Sequence, residues 1–461
     1  MTTIKLPADQ QPIDVPDPAG PAELDRALAR SWSAHRDGDW ASNHLARSEV
    51  MQAWAAALEA EKDSLVDQLV RETGKVIAEA KTEIAGACQA LRFNAGLCRT
   101  SRDEFHQLSG GDRATVRREP LGPTLFITPW NWPVLLLLRD LAPAFAAGVT
   151  AIVKPSSQTY PVTERIIGIG VRAGIPEDVL QLVAGEGETA QTLIADGRLR
   201  GVAITGSTAA GQAVLTASAQ HLTRPLLELG GKASSVVLPG TELSDPLATL
   251  ARASVITAGQ MCMACTRVLV HTSQYDQAVD TLRGHLDALV VGDPGDAATD
   301  VGPVMGAAAF GKISSYLDLA RRDRLLVTGG DRVHLEGVPG YFLRPALVAG
   351  ADRDSALVQE DIFGPVLSVE SYDTTSAAVE LANATPFGLA ASVWGADAAQ
   401  VRAVADRIDA GTVWLNRYNK SYPEIPSGGF KLSGSGRTRG LAGLEQFTEV
   451  KAIVEGASGL D

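Results

Sequence analysis

The sequence predicts an α/β protein made of two doubly wound, mainly parallel sheets. Three observations carry that expectation. The chain has 461 residues, enough for two large domains or three of about 150 residues. Between residues 124 and 240 short β-branched runs alternate with helical patterns, as parallel strands joined by crossover helices do. A second alternation of the same kind runs from roughly 231 to 430.

Residues 1–20 hold four prolines and three aspartates and predict an extended lead-in. From about 21 to 100 the chain is Ala-rich, and Leu58, Leu65, Val66 and Leu69 recur at helical spacing with charged residues around them. Polar residues over 101–119 give way to the alternation Ala114-Thr115-Val116-Arg117, which suits an exposed ribbon. Strands are then expected at Thr124–Thr128, Thr150–Lys154, Val179–Val183, Gly201–Thr205 and Ser234–Leu238. Pro133 opens a helix, and Ser207 suits the cap of another that runs through Gly211 to about Gln220. The second lobe is expected to hold strands at Thr266–His271, Val366–Tyr372 and Gly411–Asn416. The tail, Thr448–Val454, alternates again and reads as a lone strand in need of a partner. Two α/β lobes leave a cleft where cofactor and substrate can meet.

Composition narrows the function classes. With 41 basic and 54 acidic residues the net charge is −13, the wrong sign for a protein whose main partner is nucleic acid. The longest uncharged stretches, 120–138 and 201–223, are broken by four prolines in the first and filled with Thr, Ser, Gln and Gly in the second. Neither suits a membrane span. The N-terminus lacks the apolar core of a signal peptide, and four cysteines are too few for a disulfide scaffold. A cytoplasmic protein is the expectation.

Several motifs carry chemistry. Gly185-Glu186-Gly187-Glu188-Thr189-Ala190 matches a G-x-G-x-x-A fingerprint after a strand, but an acidic pair inside the loop repels a pyrophosphate. Thr205-Gly206-Ser207 is a better phosphate site, because free N–H groups open the helix that follows. Cys262 and Cys265 form a C-x-x-C pair with no second pair or His pair nearby, so no metal site is expected. They are either a nucleophile with a bystander or two buried structural cysteines. Small and polar neighbours, Gly259 and Gln260, favour the nucleophile. Trp130-Asn131-Trp132-Pro133, Glu228-Leu229-Gly230-Gly231-Lys232 and Glu360-Asp361-Ile362-Phe363-Gly364-Pro365 each put a polar side chain beside a turn.

Taken in order, these motifs resemble the aldehyde dehydrogenase superfamily. The likeness rests on Thr128–Pro133, Lys154-Pro155-Ser156, Thr205–Ser207, Glu228–Lys232, Gly259–Cys262 with Arg267, Phe363–Val366, Asn383 to Trp394, and Pro426 to Arg437. It covers about 20 to 455. The resemblance implies a Rossmann-like cofactor domain over 1–101 and 121–230 and a catalytic domain over 231–432. A small β oligomerisation arm would use 102–120 and 447–461 and join subunits into a homodimer or homotetramer.

The same resemblance implies roles. Cys262 is the nucleophile, Asn131 donates its amide to the oxyanion, and Glu228 takes a proton from the water that hydrolyses a thioester. That Glu favours release of a free carboxylic acid over acyl transfer to coenzyme A. A thiol of pKa about 8.5 needs a lowered pKa to be mostly thiolate near neutrality. NAD or NADP is the implied cofactor. Thr128, Trp130, Thr205, Gly206, Ser207, Leu229, Gly230 and Phe363 are the implied contacts, with Lys154, Ser156, Ser157 and Gly187 further along. Asp361 stands where relatives carry a longer Glu for the ribose. Ser157 stands where NAD-preferring relatives carry a carboxylate, so NADP is expected to be at least a competent cofactor. Arg139 shares a helical face with Asn131 and Leu135 and is the expected anchor for a carboxylate on the substrate's far end. Trp132, Leu135 and Tyr418 are the expected walls of an aldehyde pocket.

Overall fold

The computed structural model describes residues 1–8, 10–100 and 102–456. The last five positions of the expected 447–461 segment therefore lie outside the described residues.

The lead-in is not merely extended. Strands β1 (Thr2–Lys5) and β2 (Pro12–Val15) pair antiparallel as a hairpin, with Thr2 opposite Val15. Their registry is held by hydrogen bonds from Leu6 N to Gln11 O at 3.0 Å and from Gln10 N to Leu6 O at 2.9 Å, which the proline count concealed. Four helices follow: α1 (Pro21–Arg36), α2 (His44–Ala60), α3 (Lys62–Thr73) and α4 (Ile77–Leu97). Asn43 caps α2 by accepting from the Ala46 N–H at 3.1 Å, and Gly74 ends α3 in the left-handed region at φ +70°. Strands β3 (Glu104–Gln107) and β4 (Arg113–Pro120) make the expected antiparallel ribbon.

The first parallel sheet comes next: β5 (Thr124–Thr128), α5 (Pro133–Ala147), β6 (Ala151–Pro155), α6 (Tyr160–Arg172), β7 (Leu180–Leu182), α7 (Gly187–Ala195), β8 (Gly201–Thr205), α8 (Thr208–Ala219) and β9 (Arg224–Glu228). Spatial order is β9-β8-β5-β6-β7, all parallel. The chain starts at β5, winds out to β7, and returns to β8 on the other side. Strand order therefore reverses between β5 and β8, and the crevice beyond their carboxyl ends is where such sheets bind ligands. Alternate residues feed two cores. Phe126 and Val153 pack with Trp54, Leu137 and Ile166 on one face. Leu125 and Ile152 pack with Leu24, Leu193 and Val214 on the other. Both faces are covered, which is why these strands read as continuous apolar runs.

From Ser234 the chain builds the second sheet: β10 (Ser234–Val237), α9 (Ser244–Ser254), β11 (Arg267–His271), α10 (Tyr275–Asp287), α11 (Ala307–Arg322) and β12 (Leu326–Thr328). A side hairpin, β13 (Arg332–Leu335) and β14 (Val338–Leu343), precedes β15 (Ala346–Ala349), α12 (Ala356–Gln359) and β16 (Val366–Tyr372). Then come α13 (Thr375–Asn383), β17 (Phe387–Gly388), β18 (Ala390–Trp394), α14 (Ala398–Ala405) and β19 (Thr412–Leu415). Seven strands lie in the order β12-β15-β16-β11-β10-β18-β19. All neighbours are parallel except β12 and β15. A buried Arg267–Glu370 pair, with Nε–Oε1 at 2.7 Å, ties β11 to β16.

After β20 (Phe430–Lys431) the chain crosses back. β21 (Gly434–Ser435) adds antiparallel to β9, setting Gly434 opposite Glu228. Helix α15 (Gly440–Glu445) leads to β22 (Thr448–Glu455). The tail strand is not unpartnered, as its pattern suggested. It runs antiparallel to β4 over its whole length, from Thr448–Pro120 to Glu455–Arg113. A contact across more than 300 residues leaves no trace in local periodicity.

Candidate active site

Cys262 sits in the loop between α9 and β11, half-buried. The approach to it is forced into a left-handed run: Thr257, Ala258 and Gly259 have φ of +50°, +53° and +74°. At Gly259 a Cβ would lie 2.2 Å from the Gly364 carbonyl, so only glycine lets this loop meet the Gly364-Pro365 turn. Gln260 is fully buried and locks the loop. Its Nε2 donates to Thr257 O at 2.9 Å, and its Oε1 accepts from Met305 N at 2.9 Å. Tyr418 donates its hydroxyl to Met263 O at 3.0 Å and braces the far side.

Asn131 reaches this loop from the first sheet. Its Nδ2 donates to Gln260 O at 2.9 Å, which orients the amide beside Cys262. A buried charge cluster fixes the helix that follows. Glu83 accepts from Val134 N at 2.8 Å and Leu135 N at 3.1 Å, two of the free N–H groups at the start of α5. Lys75, also fully buried, pairs with Glu83 and lies 4.1 Å above the Trp132 ring. Trp132 Nε1 donates to Thr257 Oγ1 at 3.0 Å, and Glu79 accepts from Thr257 N at 2.8 Å. The cluster joins α4, α5 and the Cys262 loop in one unit.

Glu228 ends β9 and is 3 % exposed. Its Oε2 lies 3.5 Å from Arg139 Nη1, and its Oε1 has no partner among the described residues. Burial raises its pKa, and Arg139 opposes that rise. The Cys262 thiol is pushed up to about 11 by burial, with Arg139 pulling down and Glu228 and Asp361 pushing further up. The lowered thiol expected from the sequence is thus not what this pocket produces, because burial outweighs the pull of the Arg139 guanidinium. Cys265 is the bystander. It is buried in the core, 3.4 Å from Ser235 Oγ, and burial pushes it to about 12.

Arg139 does not stand free for a substrate. Its Nε and Nη2 donate to the two Asp140 carboxylate oxygens at 2.9 and 3.0 Å, and Nη2 also donates to Thr205 Oγ1 at 2.7 Å. The neighbouring Asp140, one residue on, satisfies the guanidinium fork that the sequence reading reserved for a substrate carboxylate.

A cavity of about 210 Å³ opens beside Cys262, toward the first sheet. Trp130 and Asn131, Thr205 to Ser207, Leu229 and Gly230, and Asp361 and Phe363 line it. Trp130 and Phe363 meet edge to face at 5.7 Å. The residues fit a dinucleotide. Ser207 caps α8 through Ala210 N at 3.2 Å and leaves N–H groups at the helix start for phosphate. A Cβ at Gly230 would lie 2.5 Å from Asp361 Oδ2, so glycine keeps this wall open. Thr128 Oγ1 is buried at the end of β5 without a partner among the described residues. Trp132, Leu135, Tyr418 and Arg139 stand outside this lining, since the cavity opens on the cofactor side of the sulfur. Leu135 instead rests against Gly86 on α4. Farther along the same sheet edge, Lys154 is the next-to-last residue of β6, Ser156 and Ser157 follow that strand, and Gly187 opens α7 after β7.

The family model described as the aldehyde dehydrogenase family matches residues 2–453. The chain belongs to the aldehyde dehydrogenase family. A succinate-semialdehyde dehydrogenase [NADP(+)] of Mycobacterium avium (strain 104) is 34% identical over 455 residues, covering 98% of this chain and 96% of that protein. Geranial dehydrogenase of Castellaniella defragrans is 35% identical over 436 residues, covering 94% and 90%. A crystal structure of betaine aldehyde dehydrogenase from Staphylococcus aureus in complex with NAD+ superposes with a TM-score of 0.96 at 28% identity, covering 100% of this chain and 92% of that one. This aldehyde dehydrogenase is accordingly an oxidoreductase that acts on aldehydes with NAD or NADP.

Sequence reasoning missed three groups in this dehydrogenase. Lys312 on α11 lines the cavity and donates to Asp361 O at 2.7 Å. The Lys75–Glu79–Glu83 cluster lies beneath Asn131. Arg439, with φ +62°, is held down to about 10 by burial and by the like charge of Arg139. Lys312 and Arg439 are lone charged residues, and Lys75, Glu79 and Glu83 are ordinary charges spaced four apart at the start of a helix, so none carries a motif.

Proposed function

We propose that this aldehyde dehydrogenase turns an aldehyde into a free carboxylic acid through a Cys262 thiohemiacetal and a thioester, with Glu228 as the base for hydrolysis. One observation supports it above the others: Glu228 is a buried carboxylate whose Oε1 has no partner among the described residues, and its charge acts on the Cys262 thiol.

The Cys262 thiol gives its proton to solvent water, and the sulfur adds to the carbonyl carbon. A C–S bond forms, and the carbonyl oxygen becomes an oxyanion. Asn131 Nδ2, already oriented by Gln260, and the Cys262 backbone N–H stabilise it; one such donor is worth about 2.7–4 kcal/mol. A bound NAD or NADP supplies the hydride acceptor and a positive charge beside the sulfur. Thr205 to Ser207, Leu229, Gly230, Asp361 and Phe363 would hold that cofactor, beside the Trp130–Phe363 pair. When hydride has left the carbon, a thioester remains on Cys262. Water attacks it, Glu228 takes the proton, the C–S bond breaks, and the acid leaves.

The chain assembles as a homodimer or homotetramer through β3, β4 and β22. β22 pairs on one side only, and Val450 and Val454 are exposed on it. Light scattering that gives a monomer at micromolar concentration would contradict this. No described helix is long and apolar enough to cross a membrane. A reducing cytoplasm suits a chain whose four cysteines are all free. The test of the reaction is an aldehyde panel followed by absorbance of the reduced cofactor, with mass spectrometry of the product in the presence of coenzyme A. An acyl-coenzyme A product in place of the acid would reject hydrolysis.

A further inference from the structure

The carboxyl ends of β9, β8, β5, β6 and β7 form one row along the ligand edge of the first sheet. Glu228 ends β9, and Cys262 faces that end. A dinucleotide whose nicotinamide meets Cys262 extends its other half down the row. From β9 to β6 is three strand spacings of about 4.8 Å, or roughly 14 Å. The adenosine half therefore comes over β6 and β7, where Lys154, Ser157 and the Gly185–Gly187 turn lie.

Parallel-sheet dinucleotide sites tell NAD from NADP at the adenosine ribose. A carboxylate accepts from the 2′-hydroxyl of NAD, and a cation receives the 2′-phosphate of NADP. Sequence order offers Ser157 and Lys154 here, with no acid. The fold supplies one from 29 residues away: Glu186, in the turn before α7, accepts a hydrogen bond from the Ser157 hydroxyl on its Oε1. Lys154 is turned off the edge. Its Nζ donates to Gly185 O at 2.8 Å and Pro155 O at 3.1 Å, and the side chain is buried. The positive end of α7 is also matched, since Glu188 joins Glu186 in its first turn. An incoming phosphate meets two carboxylates and no free cation from these elements.

We propose that Glu186, held by Ser157, reads the 2′ position of the adenosine ribose and makes this enzyme prefer NAD to NADP. The proposal rests on the dehydrogenase reading above. It reverses the expectation from Ser157 alone.

The test uses full-length enzyme and the binding of NADH and NADPH by tryptophan fluorescence, beside kcat/KM for NAD and NADP. Wild type binds NADH tighter than NADPH by about thirtyfold, the effect of one close like-charge contact in a partly screened site. Glu186→Gln brings the two within a few fold, chiefly by tighter NADPH, and Ser157→Ala shifts the ratio the same way by less. Glu186 is exposed and Ser157 half-buried, and both substitutions keep or reduce side-chain size, so folding is not at stake. Equal NADH and NADPH binding by an active wild type overturns this proposal alone, as does a ratio that Glu186→Gln leaves unchanged. Failure of both cofactors to bind, with no aldehyde oxidised, overturns the dehydrogenase reading as well.

Discussion

Arg139 and Glu228 face each other inside the protein, with Nη1 3.5 Å from Oε2 and side chains 5% and 3% exposed. The pair sets the charge of Glu228, the base we propose for hydrolysis. Burial favours the neutral acid, and the guanidinium favours the carboxylate. Asp140 holds the guanidinium in place with two hydrogen bonds. Arg139→Met removes the opposing charge, so the Glu228 pKa rises further. Steady turnover at pH 7 is expected to fall by about tenfold or more and to recover as pH is raised, while Arg139→Lys retains most of the profile. A Met variant with the wild-type pH profile would show that Arg139 does not act through Glu228.

The same contacts bear on substrate choice. With its fork held by Asp140, Arg139 offers no binding to a far carboxylate. A semialdehyde with a terminal carboxylate and a neutral aldehyde of matched length are expected to lose kcat/KM by the same factor in Arg139→Ala. A selective loss for the charged substrate would restore Arg139 as an anchor.

Splitting the reaction into two halves separates the catalytic residues. Cys262→Ala abolishes oxidation and leaves cofactor binding intact. Glu228→Gln gives one equivalent of reduced cofactor per site in a first turnover and then stalls, because the thioester persists. Rapid mixing with absorbance detection reads the burst, and steady turnover at the normal rate would remove Glu228 from its role.

The thiol titration follows from burial. With the Cys262 pKa at about 11 in the cofactor-free protein, thiolate is a small fraction at neutral pH. Its share grows about tenfold per pH unit below the pKa. Alkylation of Cys262 by iodoacetamide is therefore expected to accelerate steadily through pH 7 to 10, with Cys265 unmodified in its buried site. A rate that levels off near pH 7 would mean a pre-formed thiolate.

Stability carries its own pH signal. Glu72 is buried, accepts from Gln68 Nε2 at 2.6 Å and from Val162 N at 3.0 Å, and has its pKa raised to about 7 by burial. A raised carboxyl binds more protons folded than unfolded between its unfolded pKa, about 4.5, and 7. Its stabilising share is thus present below that window and lost as pH rises through it. Glu72→Gln is expected to gain on wild type between pH 5 and 8, by up to about 3 kcal/mol from a shift of this size. Parallel urea melts at the two pH values check it, and a constant difference would place the titration elsewhere.

Much of the first sheet was legible because each strand is buried on both faces and each connection is a helix. Thr124–Thr128 and Gly201–Thr205 lie at the residues their apolar runs marked. The Ser207 cap was legible too, since capping is a contact across three residues. The β1–β2 hairpin was not, because its strands are short and mostly exposed and show little apolar alternation.

The sequence by itself determined the two α/β lobes and the family, and singled out Cys262 as the candidate nucleophile, because these rest on local periodicity and on motifs a few residues long. Only the tertiary structure decided what surrounds those residues. It gave the tail strand a partner in β4, set Asp140 on Arg139, raised the Cys262 thiol instead of lowering it, and brought Glu186 to Ser157. Burial and distance between charges fix each of these, and both arise when segments far apart in the chain pack together.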